Sequence, residues 1–302
     1  MTAAISVDSA TIRDSSYQIS VVKLLATHSC KDCYNPRREG LWIRDMPFQI
    51  DLDETFENLP RAPIVEAVIH WRARAGTQVE RQDLQNRLRQ RLPEYPKIQM
   101  QHEVEMQLRR DAGGSTSQSH RVNWQGFRCE SEDGRYIAQF KRDGFVFSRL
   151  KPYENWDAFE TEALRLWRIH CELAEPSQVE RLGVRFINRV VPVSPDDLSN
   201  VVVAPPEIPR VLDLPSVDFL HQARLGIPNS DYQLNVVEAL QPPNPESNSY
   251  GLLLDLDVST SHAFELTDAS MPTRLAEMRW IKNKAFFTLL APTAIQQFRE
   301  SV

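Results

Sequence analysis

Two Asp-Gly pairs, Asp133-Gly134 and Asp143-Gly144, separate three short runs in which apolar and polar residues alternate: about His120 to Glu130, Tyr136 to Lys141 and Phe145 to Leu150. Asp and Gly tolerate the positive φ of a tight two-residue turn, so each pair closes its neighbouring runs into an antiparallel hairpin. A meander of this kind constrains the fold more than any other feature of the chain. Two further runs feed into the same pattern. Ile98 to Leu108 alternates Ile98, Met100, Val104, Met106 and Leu108, with His102 among them, against Gln99, Gln101, Glu103, Glu105 and Gln107, and Asp111-Ala112-Gly113-Gly114-Ser115 reads as the turn after it. Upstream, Ala62 to Arg74 sets Val65, Ala67, Ile69, Trp71 and Ala73 on one face and Ile64, Glu66, Val68, His70 and Arg72 on the other. The block Leu59 to Trp71 therefore reads as the first strand of the domain, with one apolar face and one that is half-exposed or lines a cavity.

Helical periods interrupt the strands. Glu80 to Leu92 spaces Leu84, Leu88 and Leu92 four apart and stops at Pro93. Asn155 is placed to cap a helix from Trp156 to about Leu173, whose inner stripe is Phe159, Ala163, Leu166, Trp167 and His170. Pro272 suits the first turn of a long helix carrying Leu275, Met278, Ile281, Ala285 and Leu289, with Pro292 and Thr293 starting a last short turn. Between them, strands are expected over Val179 to Val191, Asp218 to Leu225, Tyr232 to Leu240 and Gly251 to Val258, with proline-rich connections at 192–215 and 241–249.

The expected class is α+β, with largely antiparallel sheets and helices packed on one face. The order strand, helix, strands, helix occurs twice. That suggests two pseudo-repeated halves, 46–176 and 177–302, although no residue-level repeat accompanies the pattern. Residues 1–45 show neither period and read as a disordered leader or a mis-assigned start, with Met46 as the expected origin of the folded chain. That leader holds His28-x-Cys30-x-x-Cys33; a second Cys-x-x-Cys is missing, since Cys129 and Cys171 stand alone, and the cluster reads as incidental.

A hydrophobic share of 41% and a charged share of 25% are those of an ordinary globular protein, and a net charge of -6 makes nucleic acid a disfavoured partner. No apolar run is long enough to span a membrane and no secretory pattern opens the chain, so the cytoplasm is the expected location.

Four blocks carry a resemblance: Leu59-Pro60-x-Ala62-Pro63-Ile64-Val65-Glu66-Ala67-Val68, Tyr153-x-x-Trp156-x-x-Phe159, Arg181 to Arg189, and Gly251 to Asp257. Over about Met46 to Val302 the chain resembles a sporadically distributed family of uncharacterised bacterial proteins. The resemblance implies no activity and no site residues. A patchy distribution is the habit of genes on mobile elements, defence and toxin–antitoxin loci among them.

The residues themselves offer one constellation. Arg181, Arg185 and Arg189 recur every fourth residue and so share one face of their strand; Glu66, His70 and Arg72 share a face of the first strand, and Asp255 and Asp257 a face of the strand before the last helix. An arginine row beside carboxylates can bind a phosphate, a nucleotide or a peptide carboxylate, or it can simply be paired. Glu66 opposite Arg185 is the expected cross-strand pair. Asp255-x-Asp257 alone is too few ligands for a metal, and pairing with nearby arginines is the expected fate of both. His102, on an apolar face, reads as a core histidine. No phosphate-binding glycine loop, dinucleotide fingerprint, nucleophile elbow or His-Glu-x-x-His occurs. No cofactor and no metal are therefore expected. The favoured function is non-catalytic binding, through a polar sheet face or a groove between the halves, of a protein or anionic small-molecule partner. The alternatives are a small-molecule enzyme using Glu66 or His70 as acid–base with Arg185 as anion holder, and a component of a defence or toxin–antitoxin system.

Overall fold

The computed structural model describes residues 48–76, 80–110, 116–206, 217–243, 249–266 and 270–299, and the side chains of all of these except 104–110, 116–121 and 195–196. The expected leader with His28, Cys30 and Cys33, the start at Met46 and the turn at 111–115 lie outside the described residues.

In chain order the elements are β1 (Ile64–Arg72), α1 (Arg81–Arg91), β2 (Lys97–Arg110), β3 (Thr116–Glu130), β4 (Tyr136–Lys141), β5 (Gly144–Leu150), α2 (Trp156–Ala174), β6 (Gln178–Val179), β7 (Arg181–Val193), a 3-10 helix at Pro195–Asn200, β8 (Phe219–Gly226), β9 (Tyr232–Gln241), β10 (Tyr250–Thr260), β11 (Phe264–Glu265), α3 (Met271–Leu289) and α4 (Pro292–Arg299). Nine strands form one antiparallel sheet in the order β2-β3-β4-β5-β1-β7-β10-β9-β8, and β6 pairs with β11 apart from it. Gln101–Gln125 belongs to a compact unit of its own, in which Gln125 donates to Glu103; the rest of the described chain falls in the unit made of Pro47–Met100 and Gly126–Val302.

Both Asp-Gly pairs fall at hairpin ends, the first within a four-residue loop at 132–135 and the second with Arg142 and Asp143 as the two loop residues and Gly144 already paired to Lys141. Gly134 has φ +70° and Gly144 φ +149°. At Gly144 the close approach is also steric, because a Cβ there would sit 2.0 Å from the Trp71 carbonyl oxygen of β1. The turn thus lets β5 lie against β1, with Phe145 opposite Trp71.

The register puts one residue set against the helices. Ala67, Ile69 and Trp71 of β1, Phe145 and Phe147 of β5, Leu182, Val184 and Phe186 of β7, and Leu252, Leu254, Leu256 and Val258 of β10 are all buried. Asn155 Oδ1 accepts from the Ala158 N–H at 2.8 Å, capping α2 where the sequence places the cap, and the stripe Phe159, Ala163, Leu166, Trp167 and His170 is buried. Trp167 stacks on Trp71 with ring centroids 5.2 Å apart. α3 packs on β7, β10 and β9 through Leu275, Met278 and Ile281. The fold is α+β with its helices on the sheet, as expected.

The two expected halves meet inside one continuous sheet. β1 lies between β5 and β7, and β7 between β1 and β10, so β1 of 46–176 and β7 of 177–302 are direct neighbours. The first stretch carries four strands between β1 and α2 (β2 to β5), and the second four between β7 and α3 (β8 to β11), of which β11 lies outside the large sheet. This strand order alone does not establish a duplication.

Candidate functional site: the open face of the sheet

In an antiparallel pair, residues directly opposite one another share a face. Val68 faces Arg185, and Arg185 faces Asp257; His70 faces Gly183, Arg72 faces Arg181, and Ile187 lies between Glu66 and Asp255. The register therefore gathers all the sequence-derived candidates, Glu66, His70, Arg181, Arg185, Arg189, Asp255 and Asp257, onto the sheet face turned away from α2 and α3. The same register corrects one expected pair. Glu66 stands opposite Ile187, two residues from Arg185, and the direct partner of Arg185 is Asp255.

The three arginines lean the same way along β7. Arg185 Nε and Nη2 grip Asp255 with bonds of 2.8 and 3.1 Å from Nε and 2.6 Å from Nη2. Arg181 reaches past Gly183 to place Nη2 2.9 Å from Asp257 Oδ2. A Cβ on Gly183 would come within 2.8 Å of Arg181 Nη1, so the glycine supplies the trough in which this guanidinium lies. Arg189 Nε donates to Gln241 Oε1 at 3.0 Å. Asp255 is buried, at 5% exposure, whereas the Arg185 side chain is 39% exposed. The charged ends thus line up as matched pairs, with the Asp255 carboxylate buried and its arginine reaching the partly solvated surface.

Glu66 is the carboxylate without an arginine of its own. Burial pushes its carboxyl above the usual range, against the opposing pull of a hydrogen bond from the Ser148 hydroxyl and the charges of Arg185 and Arg128. Ser148, 3% exposed and opposite Val68 on β5, belongs to this centre and was not singled out in the sequence. Its signal was available only through the hairpin register that brings β5 beside β1. His70 is held neutral, its pKa pushed down to about 4 by burial and by the neighbouring Arg181 and Lys141 charges. At the margins, Arg128 pairs with Glu130 at 2.7 Å, Arg72 with Glu180 at 3.2 Å and Lys141 with Asp143 at 3.4 Å.

Elsewhere the chemistry is more dispersed. His102 is exposed, not in a core, because β2 presents Met100 and His102 to solvent. His170 lies between Trp167 and Phe145 in the helix–sheet core, and burial lowers its pKa to about 4. Lys282 of α3 is buried with its ammonium 3.9 Å from the centre of the Phe186 ring; burial, then the charge of Arg279, brings its pKa down to about 7. A cleft of about 620 Å³ lies at the start of β9 and of α3, where Arg274 pairs with Asp231 at 3.1 Å and the Tyr232 hydroxyl donates to Glu277. None of the open-face candidates lines it. Among the described residues, no three His, Cys, Asp or Glu side chains group as a metal site, and no helix is long and apolar enough to cross a membrane.

The open face consequently offers neighbouring donors and acceptors in a fixed lattice, with Glu66 and Ser148 at its centre. No family model, no curated protein and no solved structure matches this chain.

Proposed function

We propose that this protein is a non-catalytic binding protein whose partner docks on the open face of the sheet. The observation that carries the reading is the pairwise matching of charge between β7 and β10, Arg185 with Asp255 and Arg181 with Asp257, continued by Arg72 of β1 with Glu180 just before β7. A site built for a small anion converges several uncompensated cations on one point. Here Arg72, Arg181 and Arg185 each hold a carboxylate, Arg189 holds the Gln241 side-chain carbonyl, and the row stays partly exposed. Such a lattice suits a partner that itself carries both signs of charge, a protein surface or an extended peptide, because each pair can be shared without stranding a charge.

A charge swap tests this. Arg181→Asp with Asp257→Arg keeps an ion pair on the face but inverts its local field. The wild-type protein, immobilised and exposed to an extract of its native host, should retain a defined partner, and the swap should lose at least about tenfold of that retention at unchanged melting temperature. Equal retention by the swap would overturn the docking surface.

One observation favours the catalytic alternative. Glu66 carries a raised pKa and touches a buried serine hydroxyl, the environment of a general acid or base. It would act beside Arg185 on an anionic substrate. A cytoplasmic location and kinship with the sporadic bacterial family are part of the same proposal. They are supported by the absence of a long apolar segment in the sequence and by the four blocks between Leu59 and Asp257.

A further inference from the structure

The sheet ends on β8, and this edge is built unlike a protected one. β8 pairs with β9 along its whole length, from Phe219 opposite Leu240 to Gly226 opposite Gln233, and among the described residues no strand lies on its other side. Natural edges are blunted with proline, charged side chains (lysine above all), bulges, short strands or a covering segment, and of these β8 carries one charged side chain, Arg224. The run Phe219-Leu220-His221-Gln222-Ala223-Arg224-Leu225-Gly226 holds no proline and no lysine, and its register against β9 is unbroken. It also exposes large apolar side chains on both faces. Leu220, on the open face, is 70% exposed, and Leu225, on the helix face, is 50% exposed.

We infer that β8 is a self-association edge, on which a second copy of this chain adds its own β8 antiparallel to extend the sheet. The strand order of residues fits itself. Two antiparallel neighbours related by a two-fold axis keep their faces only if the axis runs perpendicular to the sheet, and one residue must then oppose its own copy. With Gln222 on the axis, Phe219 faces Leu225 of the second copy on the helix side, and His221 faces the small Ala223. On the open side Leu220 lies over the stem of Arg224 of the second copy. Phe219 thus meets Leu225, and Leu220 the apolar stem of Arg224. Placing Ala223 on the axis instead sets Leu220 opposite Gly226 and His221 opposite Leu225, and loses both matches. This assignment does not rest on the proposed function of the open face. A strand edge is small beside a standard interface of about 1,600 Å², so association is expected at micromolar concentration.

The test uses the full chain. Sedimentation velocity between about 1 and 100 µM should show wild-type protein passing from the 34.8 kDa monomer to twice that mass. Leu220→Lys with Leu225→Lys should stay monomeric over that range while keeping the wild-type circular dichroism spectrum and melting temperature. With Cys30, Cys33 and Cys171 replaced by Ser, Gln222→Cys should form a covalent dimer on mild oxidation, and Leu225→Cys, set opposite Phe219, should not. A wild-type protein that stays monomeric, a double lysine variant that still dimerises, or cross-linking by Leu225→Cys in place of Gln222→Cys would overturn the assignment. An extended strand of another protein at this edge would show as the first of these outcomes.

Discussion

At the scale of single residues, the open face mixes groups that stabilise the fold with groups that cost it stability. Arg185 belongs to the first kind. Replacing it by Met leaves the buried Asp255 carboxylate unpaired, a loss of about 3 kcal/mol, and adding Asp255→Leu should recover most of it; paired urea melts measure both. Glu66 belongs to the second. Its carboxyl titrates above the ordinary value of 4.5, so the folded state holds the proton more tightly than the unfolded chain. The stability so gained is present at low pH and is lost as pH rises from 4.5 through the folded-state value. Glu66→Gln should remove that loss, and its advantage in melting temperature over wild type should grow between pH 4 and neutrality. Lys282 shows the same penalty with the opposite slope. With a folded pKa near 7 against 10.5 unfolded, the unfolded chain binds more protons across that window, so wild-type stability climbs as pH rises from 7 towards 10.5. Lys282→Met should flatten this climb and stabilise the protein at pH 7 by a few kcal/mol, because each tenfold change in proton affinity is worth roughly 1.4 kcal/mol; thermal melts across that pH range measure both effects. The candidate residues of β1, β7 and β10 were legible individually, because period-2 spacing assigns faces. Ser148 and the true partner of Arg185 were not, because they depend on which strand lies beside which, and in what register.

Elements were legible where a local physical signal fixes them. The α2 cap at Asn155, the leucines of α1 and the proline in the first turn of α3 all stand where the spacing puts them. Gly144→Ala should cost about 3 kcal/mol or more, since its Cβ would strike the Trp71 carbonyl, whereas Asn155→Ala should cost about 1 kcal/mol; thermal denaturation distinguishes them. β2 shows where periodicity stops being informative. Its alternation is the cleanest in the chain, yet Met100 is 51% exposed and His102 lies in solvent, because a pattern states which residues could share an apolar face and not whether anything covers it. The two-residue pair of β6 and β11 is too short to carry a period, and α4 is a full helix of two turns where the sequence suggested only a turn.

At the scale of the molecule, the one continuous sheet is what turns separate rows of charge into a surface. Hairpin signals announce β3, β4 and β5, but nothing local states that β1 lies between β5 and β7. That placement follows from the burial of Ala67, Ile69 and Trp71 against both neighbours at once. It brings the Glu66 row of β1 beside the arginine row of β7, and β10 delivers Asp255 and Asp257 from the other side. The central claim is that a partner docks where these rows meet. The most direct measurement is site-specific photo-cross-linking in native extract. A photoreactive residue replaces either Arg72, 57% exposed on the open face, or Arg279, 45% exposed on the helix layer, and the cross-linked peptides are identified by mass spectrometry. The account expects a defined partner cross-linked from position 72 and none from position 279. The same partner captured from position 279 alone, with position 72 silent, would contradict it.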